Sequence, residues 1–564
     1  MKGWAAVVAV LLGAPPVLAL PGDVVRELPA PSRTCTGLTF DGKLLWVADH
    51  GQDLLIAVDP ASGKVARQFK SPGYRPAGLA FDGKELWNVD TVQARLFRIR
   101  PADGLVTLTL PAPVSAPRAL AFDGQALWLS DDASSAIHRV DPTDGTTIRE
   151  IRFPGASVDG MTFDGRYLWV ADRLADRLYA VVPDSGEVVL ALPSTGPHPS
   201  GLAWTGRELV AVDYQTDRLS WIKRDDTEFL ARTDPREEWV VFTHQVRNFG
   251  PDTLPNLESL IAFPSDLESQ QLLAPPIFDP KPQETIADQY GQQVARFPFK
   301  DLAAGQTAEV RMKVRMIARA VQWRIYPENV QSLWQIPAEI KKSYLTDSLK
   351  YDLKNPIIAK AAAEASGQER NPYWIARRIY RYVQDRLHYE RIGGWDVAPK
   401  VLERGSGSCS EYSYVYIAIC RAAGLPARYA GSLVIRKDQA SYDDVYHRWV
   451  EVYLPPYGWV PVDPSRGDKL GEAERADSFG SLSHDFLITT RGGGGSSLLD
   501  WSYNYNTRFA CRGRCRVEEE SLADWSPEDP DAPSPSVPLG QGASKPTPGS
   551  DPPGCAPADP LLVP

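Results

Sequence analysis

The chain has 564 residues and a mass of 62.2 kDa, enough for three or four domains. Apolar residues make up 43% and charged residues 23%, the balance of a folded globular protein. A formal net charge of −10 without any basic block argues against nucleic acid as a partner, and six cysteines are too few for a disulfide framework.

Residues 1–19 combine Lys2, an apolar stretch from Trp4 to Leu12 and a small-residue end at Val17-Leu18-Ala19. This predicts a secretory signal peptide cleaved near Ala19, and hence a secreted or periplasmic protein. Pro15 and Pro16 interrupt the run, leaving it too short for a membrane span, and no later segment is apolar enough to span.

Residues 22–231 repeat. Phe40-Asp41-Gly42 recurs as Phe81-Asp82-Gly83, Phe122-Asp123-Gly124 and Phe163-Asp164-Gly165, then in altered form as Trp204-Thr205-Gly206, always at a step of 41 residues. Trp46, Trp87, Trp128 and Trp169 keep the same step, as do Asp49, Asp90, Asp131, Asp172 and Asp213. Each unit holds four short β-like runs between Gly/Pro/Asp turns, the pattern of one β-propeller blade, which makes five blades the expected number. The leader from Asp23 to Leu28 reads as a fourth strand and should complete the last blade, around residues 202–223, removing two exposed sheet edges. The repeated Trp is expected to pack between blades and the repeated Asp to stabilise a turn. His50, His138 and His198 fall at three different repeat positions and predict no histidine ring, so the region reads as a binding or spacing module. The repeats resemble NHL/YVTN-type propellers and, more distantly, the five-bladed glutaminyl cyclotransferases.

A charged connector, residues 232–238, is expected to separate this module from the rest, so that its removal should spare the chemistry. Residues 236–325 carry β runs split by Gly/Pro turns and a Pro-rich loop at 274–283, which fits an Ig-like β-sandwich.

Residues 326–510 hold the candidate chemistry. Asn355-Pro356 and Asn371-Pro372 each read as an N-cap followed by Pro at the first helical position. The second opens an amphipathic helix with Ile375, Ile379, Val383 and Leu387 in one stripe. Ser408 is a plausible N-cap for an apolar helix over 411–423, stopped by Gly424-Leu425-Pro426. Cys409 thus stands at a helix N-terminus, where the macrodipole favours a thiolate. His447 to Leu454 alternates as a strand, residues 455–458 turn, and Trp459 to Asp463 returns. That hairpin sets Trp449 opposite Asp463 and His447 on the adjacent diagonal, within side-chain reach. A thiol, an imidazole and a carboxylate so placed are the parts of nucleophilic acyl transfer. Cys420, in the middle of the same helix, is expected to be core packing, and Glu411 and Glu451 to be capping or salt-bridging residues.

The blocks GSCSEY, RAAGLPARY and HRWVEVYLPPYGWVPVDPS resemble the transglutaminase-like (papain-like Cys-His-Asp) superfamily over roughly residues 355–510. The resemblance implies Cys409 as nucleophile, His447 as base and Asp463 as the orienting acid. It also points to Trp395 as an oxyanion donor beside the backbone N–H of Cys409, although Trp395 lies much nearer the Cys than its counterpart in animal transglutaminases. No cofactor or metal is implied, since Cys511 and Cys515 lack further ligands; they suit a local disulfide. From residue 516 to 564 the chain has 12 prolines and few apolar side chains, which predicts a disordered acidic tail.

The expectation is therefore a multidomain protein: an all-β propeller, a β-sandwich and an α+β transglutaminase-like domain. Its expected activity is cysteine-dependent amide hydrolysis or acyl transfer on a protein or peptide, leaning to peptidase. Glutamine crosslinking, or a non-catalytic envelope or cell-surface interaction protein built on the propeller, are the alternatives.

Overall fold

The computed structural model describes residues 19–391, 395–435, 441–443, 446–466 and 471–531. The predicted signal peptide through residue 18 and the predicted tail from residue 532, with Cys555, lie outside the described residues. The described chain up to Pro527 forms one compact unit, and Glu528 to Asp531 fall in a second.

The repeat builds five four-stranded antiparallel sheets. In the second, Pro76–Phe81, Leu86–Asp90, Arg95–Ile99 and Val106–Pro111 follow in order. Local chemistry explains the repeated residues. Asp82 Oδ1 accepts from the N–H groups of Lys84 (2.9 Å) and Glu85 (2.7 Å), closing the turn at Gly83, while Oδ2 accepts from Trp87 Nε1 at 2.9 Å. The same carboxylate-to-indole bond recurs at Asp41–Trp46, Asp123–Trp128 and Asp164–Trp169. One Asp therefore sets both the turn and the pose of a buried Trp. The strand-ending Asp works similarly: Asp90 Oδ1 accepts from Val92 and Gln93 N–H at 3.0 and 2.7 Å.

The first strands of the sheets pack one against the next, Cys35–Phe40 on Pro76–Phe81 and so on through Pro199–Trp204, which returns to Cys35–Phe40. This is a propeller-like array. Close approach here demands glycine, because a Cβ on Gly78 would lie 2.4 Å from the backbone of Leu120. The leader strand Val24–Pro29 pairs with Arg218–Ile222 and completes the last sheet.

The middle region departs from the expected boundaries. Residues 232–238 are not a connector: they lie inside the strand Leu230–Pro251, which pairs with Thr307–Trp323 on one side. On its other side it pairs with Cys515–Ser526, so the predicted disordered tail does not begin at residue 516. The alternation over 515–526 satisfies the open edge of a long strand, a gain that composition alone does not register. A second sheet runs Glu284–Ala287, Gln293–Leu302, Leu254–Ala262 and Tyr505–Ala510. Both sheets contribute to one apolar cluster that includes Phe242, Ile261, Phe297 and Met312. Strands beyond residue 500 thus belong to this region as well as those within 236–325. Cys511 and Cys515 form a disulfide in the turn between the last two.

In the α+β region, Asn355 and Asn371 cap the helices Pro356–Ser366 and Pro372–Arg386, accepting from Ile357 N–H (3.1 Å) and Tyr373 N–H (2.9 Å). These flank the helix Cys409–Ala422, which is buried along nearly its whole length. It packs on a sheet ordered Gly458–Val462, His447–Leu454, Ala427–Val434 and Phe486–Gly492.

The expected independence of the array is overturned. Trp169, Leu178, Leu190 and Leu192 share one continuous core with Tyr373, Ile379, Ile417 and Val450. The cause is a single strand. Four of the outer strands are mostly exposed, whereas the fourth sheet's, Val188–Pro193, reads VVLALP without a polar side chain and is buried. The helix Pro372–Arg386 covers it, with Tyr373 Oη and Arg377 Nη2 donating to Val189 O (3.2 Å) and Val188 O (3.0 Å). No helix among the described residues is long and apolar enough to cross a membrane.

Candidate active site

Cys409 is the first residue of its helix, so its N–H has no helical carbonyl to pair with. The corner before it is held by Glu411, which is buried. Its Oε2 accepts from Ser408 N–H at 3.0 Å, and its Oε1 from Asp396 N–H at 3.0 Å and Arg404 Nη2 at 2.8 Å. Glu411 is thus the capping and ion-pairing residue its position predicts. Glu451 is likewise an ion-pair residue, accepting from Arg428 Nε at 2.7 Å. Cys420 is wholly buried, and burial raises its thiol pKa well above the ordinary value.

The hairpin brings the other two groups to Cys409. Gly458–Val462 pairs with His447–Leu454 with Val450 opposite Val462, and Asp463 follows directly. His447 Nε2 lies 2.6 Å from Asp463 Oδ2. The other carboxylate oxygen, Oδ1, accepts from Ser465 N–H (3.1 Å), Ser465 Oγ (2.8 Å) and Arg466 N–H (3.0 Å), so Asp463 cannot swing away without losing three bonds. The imidazole is therefore held through Nε2 by Asp463, and Cys409 and His447 each shift the other's titration. Cys409 keeps 9% exposure and the His447 side chain 20%.

Electrostatics favour the ion pair. Burial by itself would lower the His447 pKa, but the Asp463 charge and hydrogen bond, with Cys409, raise it to about 10. Burial would raise the Cys409 pKa, yet His447, the Arg448 N–H and the Arg448 charge bring it below the usual thiol value. Asp463 is held below the usual carboxylate range by His447, Ser465 and the Arg466 N–H, against the opposing effect of its burial. Both shifts run in the direction that favours a thiolate beside an imidazolium.

Trp395 sits beside this group, its ring centroid 6.1 Å from that of Tyr503 and 5.2 Å from the Arg448 guanidinium. Lys350 Nζ donates to its carbonyl, and the Asp396–Glu411 bond ties the next residue to the Cys409 helix. Gly394, on its other side, lies outside the described residues.

Arg448 is the residue that motif reasoning missed. It is fully buried, donates to Tyr414 Oη and, at 2.6 Å, to Trp501 O, and lies over the rings of Tyr503 (4.3 Å) and Tyr429 (4.4 Å). Among the described residues no carboxylate pairs with it, and its Nε has no partner. A buried cation without a carboxylate is costly unless another negative group stands near. Burial opposes its charge, whereas Tyr414, Tyr429, Tyr503 and Cys409 favour it. The sequence did hold a signal: Arg448 interrupts the otherwise apolar stripe Val450, Val452, Leu454. No cluster of three or more His, Cys, Asp or Glu side chains suited to a metal occurs among the described residues.

Residues 359–464 match the transglutaminase-like superfamily core and span all three site residues, so this part of the chain is a transglutaminase-like core. The chain is 26% identical over 200 residues to an uncharacterised Haemophilus influenzae protein, aligning 31% of its own length and 52% of that protein's. It is 31% identical over 77 residues to the uncharacterised protein YebA of Bacillus subtilis, aligning 12% and 10% respectively. The chain therefore spans about half or less of the curated relatives it matches. Among solved structures, a Cytophaga hutchinsonii protein provisionally named a cysteine protease aligns at TM-score 0.37 and 15% identity, over 52% of this chain and 92% of its own. Myxococcus xanthus glutaminyl cyclase aligns at TM-score 0.33 and 15% identity, over 36% and 95%.

Proposed function

We propose that the chain is an exported cysteine-dependent amide hydrolase acting on a protein or peptide through an acyl-enzyme. The observation that carries this reading is the line Asp463–His447–Cys409 at the start of a buried helix. In the first half-reaction the Cys409 thiolate attacks the amide carbon and an oxyanion forms. The Cys409 N–H donates to that oxyanion, with the Trp395 indole N–H as the second donor. His447 gives its proton to the leaving nitrogen, the C–N bond breaks, and a thioester remains. Neutral His447 then takes a proton from water as the water attacks. The C–S bond breaks, the acid leaves, and thiolate and imidazolium are restored. Asp463 holds the imidazole throughout. Hydrolysis is favoured over transfer to an amine because water needs no dedicated acceptor pocket.

We read the β-rich remainder as a five-bladed propeller and an Ig-like β-sandwich, with the propeller presenting surface to an envelope or cell-surface partner. The test has two arms on separate samples of the full chain: alkylation by iodoacetamide, and exposure of the unalkylated protein to a peptide-amide library with and without added primary amine. Selective labelling of Cys409 and new peptide carboxyl termini, both lost in Cys409→Ala, are expected. Product carrying the amine would identify transamidation instead. Undiminished turnover in Cys409→Ala would sink the assignment.

A further inference from the structure

The 41-residue repeat is most regular where it builds the array and least regular at one end of it. His50, Thr91, Asp132, Arg173 and Tyr214 occupy a single repeat position, the residue directly after the strand-ending Asp, and are five different residues. All five line a cavity of about 500 Å³ at the end of the array where the first strands begin. A second equivalent position, at residues 36, 77, 118, 159 and 200, also lines it and also varies, including Arg118 and Asp159. The framework repeats because each sheet solves the same packing problem. The cavity wall is not bound by that requirement, and its chemistry is unequally distributed.

On one side the charges satisfy one another. Arg118 Nε meets Asp132 at 2.7 Å, Arg118 Nη1 meets Asp159 at 3.3 Å, and Arg173 Nε lies 3.6 Å from Asp159. On another side Tyr214 stands between two imidazoles, with ring centroids 5.8 Å from His50 and 5.1 Å from His198. The histidines of the array thus do converge in part, because different repeat positions meet at the same mouth. Between these sides is Arg75, exposed, whose guanidinium makes no ion pair or hydrogen bond among the described residues. Arg118 and Arg173 are thus matched to carboxylates across the lining, and Arg75 is the lining arginine that is not, among the described residues.

We propose that this mouth is a binding site for a ligand that presents one carboxylate to Arg75 and one ring to the Tyr214 stack. A volume of this size suits a small acid or the last few residues of a peptide chain. None of its residues belongs to the cysteine site, so the inference is independent of the proposed hydrolase.

The test is calorimetric or NMR titration of the full chain with three probes: acetyl-Ala-Ala-Phe as the free acid, the same peptide as its C-terminal amide, and phenylacetate. Binding of the free-acid peptide or of phenylacetate, with the amide bound at least about fivefold more weakly, is expected. The stronger of the two acids tells a peptide terminus from a free small acid. Arg75→Gln and Tyr214→Ala should each weaken that binding about fivefold or more, with Cys409 alkylation unchanged as the check on folding. Failure of both acids to bind at millimolar concentration, equal binding of the amide, or full binding by Arg75→Gln would each overturn the proposal.

Discussion

Arg177 and Asp477, 300 residues apart in the chain, meet at 2.6 Å. The contact joins the fourth sheet of the array to the helix Glu472–Asp477. The neighbouring Ala473 N–H donates to Pro154 O at 3.0 Å, and Ser478, just past the helix, accepts from Asp463 N–H at 2.9 Å. Arg381 bridges Glu187 of the array (3.1 Å) and Glu472 of the same helix (2.9 Å). A short path of bonds therefore runs from the repeat array to the residue that orients His447.

Removing residues 22–223 should accordingly abolish a folded, active protein. It strips the cover from Tyr373 and Ile379 and frees the helix behind Asp463. Circular dichroism and Cys409 alkylation on the truncated chain provide the measurement. A soluble, folded truncation with near-normal alkylation would show that the shared core is dispensable. By contrast, Arg177→Ala removes one half-exposed ion pair and should cost no more than about 1 kcal/mol.

Asp463→Asn should lower turnover by about 10⁴-fold, in line with loss of the correct imidazole tautomer in serine triads. The Asn oxygen is drawn to the Ser465 and Arg466 donors, which leaves its NH₂ facing His447 Nε2 and displaces the proton from that nitrogen. Thermal unfolding should separate this loss from misfolding. A drop of under about tenfold would mean that another group orients His447.

The pH profile of alkylation should be a plateau. Its acid limb lies below the ordinary thiol range, because His447 and Arg448 lower the Cys409 pKa, whereas turnover, which also needs the His447 proton for the leaving nitrogen, should fall near pH 10. The stability contribution has a definite sign. His447 binds its proton more tightly when folded, so its share is complete below about pH 6.5 and is lost as pH rises through about 10. The Cys409 share runs the other way, present above the ordinary thiol pKa and lost as pH falls through the lowered one. A reaction rate that simply rises with pH through the ordinary thiol range would contradict the ion pair.

Arg448→Met should move the acid limb of that profile to higher pH, because one of the two groups that lower the Cys409 pKa loses its charge. Arg448→Lys keeps the charge but not the two forked hydrogen bonds to Tyr414 and Trp501, and should restore the limb in part. A merely structural Arg448 would lower the melting temperature of both variants and leave the pH profile where it is.

Some of this was legible along the chain, because the deciding contacts are short in sequence. The Asp41–Trp46 bond spans five residues and His447–Asp463 spans one hairpin, so spacing alone locates them. Cys409 at a helix start follows from its flanking glycines and the apolar run after it. Other features depended on partners far away. Residues 515–526 look like the start of a polar tail until Leu230–Pro251 offers an open edge. Val188–Pro193 differs from its sister strands only by its apolar side chains, and its partner helix begins about 180 residues later. Arg448 is a single odd residue in a stripe until Tyr414, Tyr429, Trp501 and Tyr503 close around it. The mouth of the array gathers equivalent positions from five repeats, and only the return of the last sheet to the first brings their unlike side chains together. Turn, cap and hairpin chemistry acts over a few residues and leaves periodic marks. Burial and sheet-edge pairing act between segments, and which segments meet was decided by the packing of the whole unit.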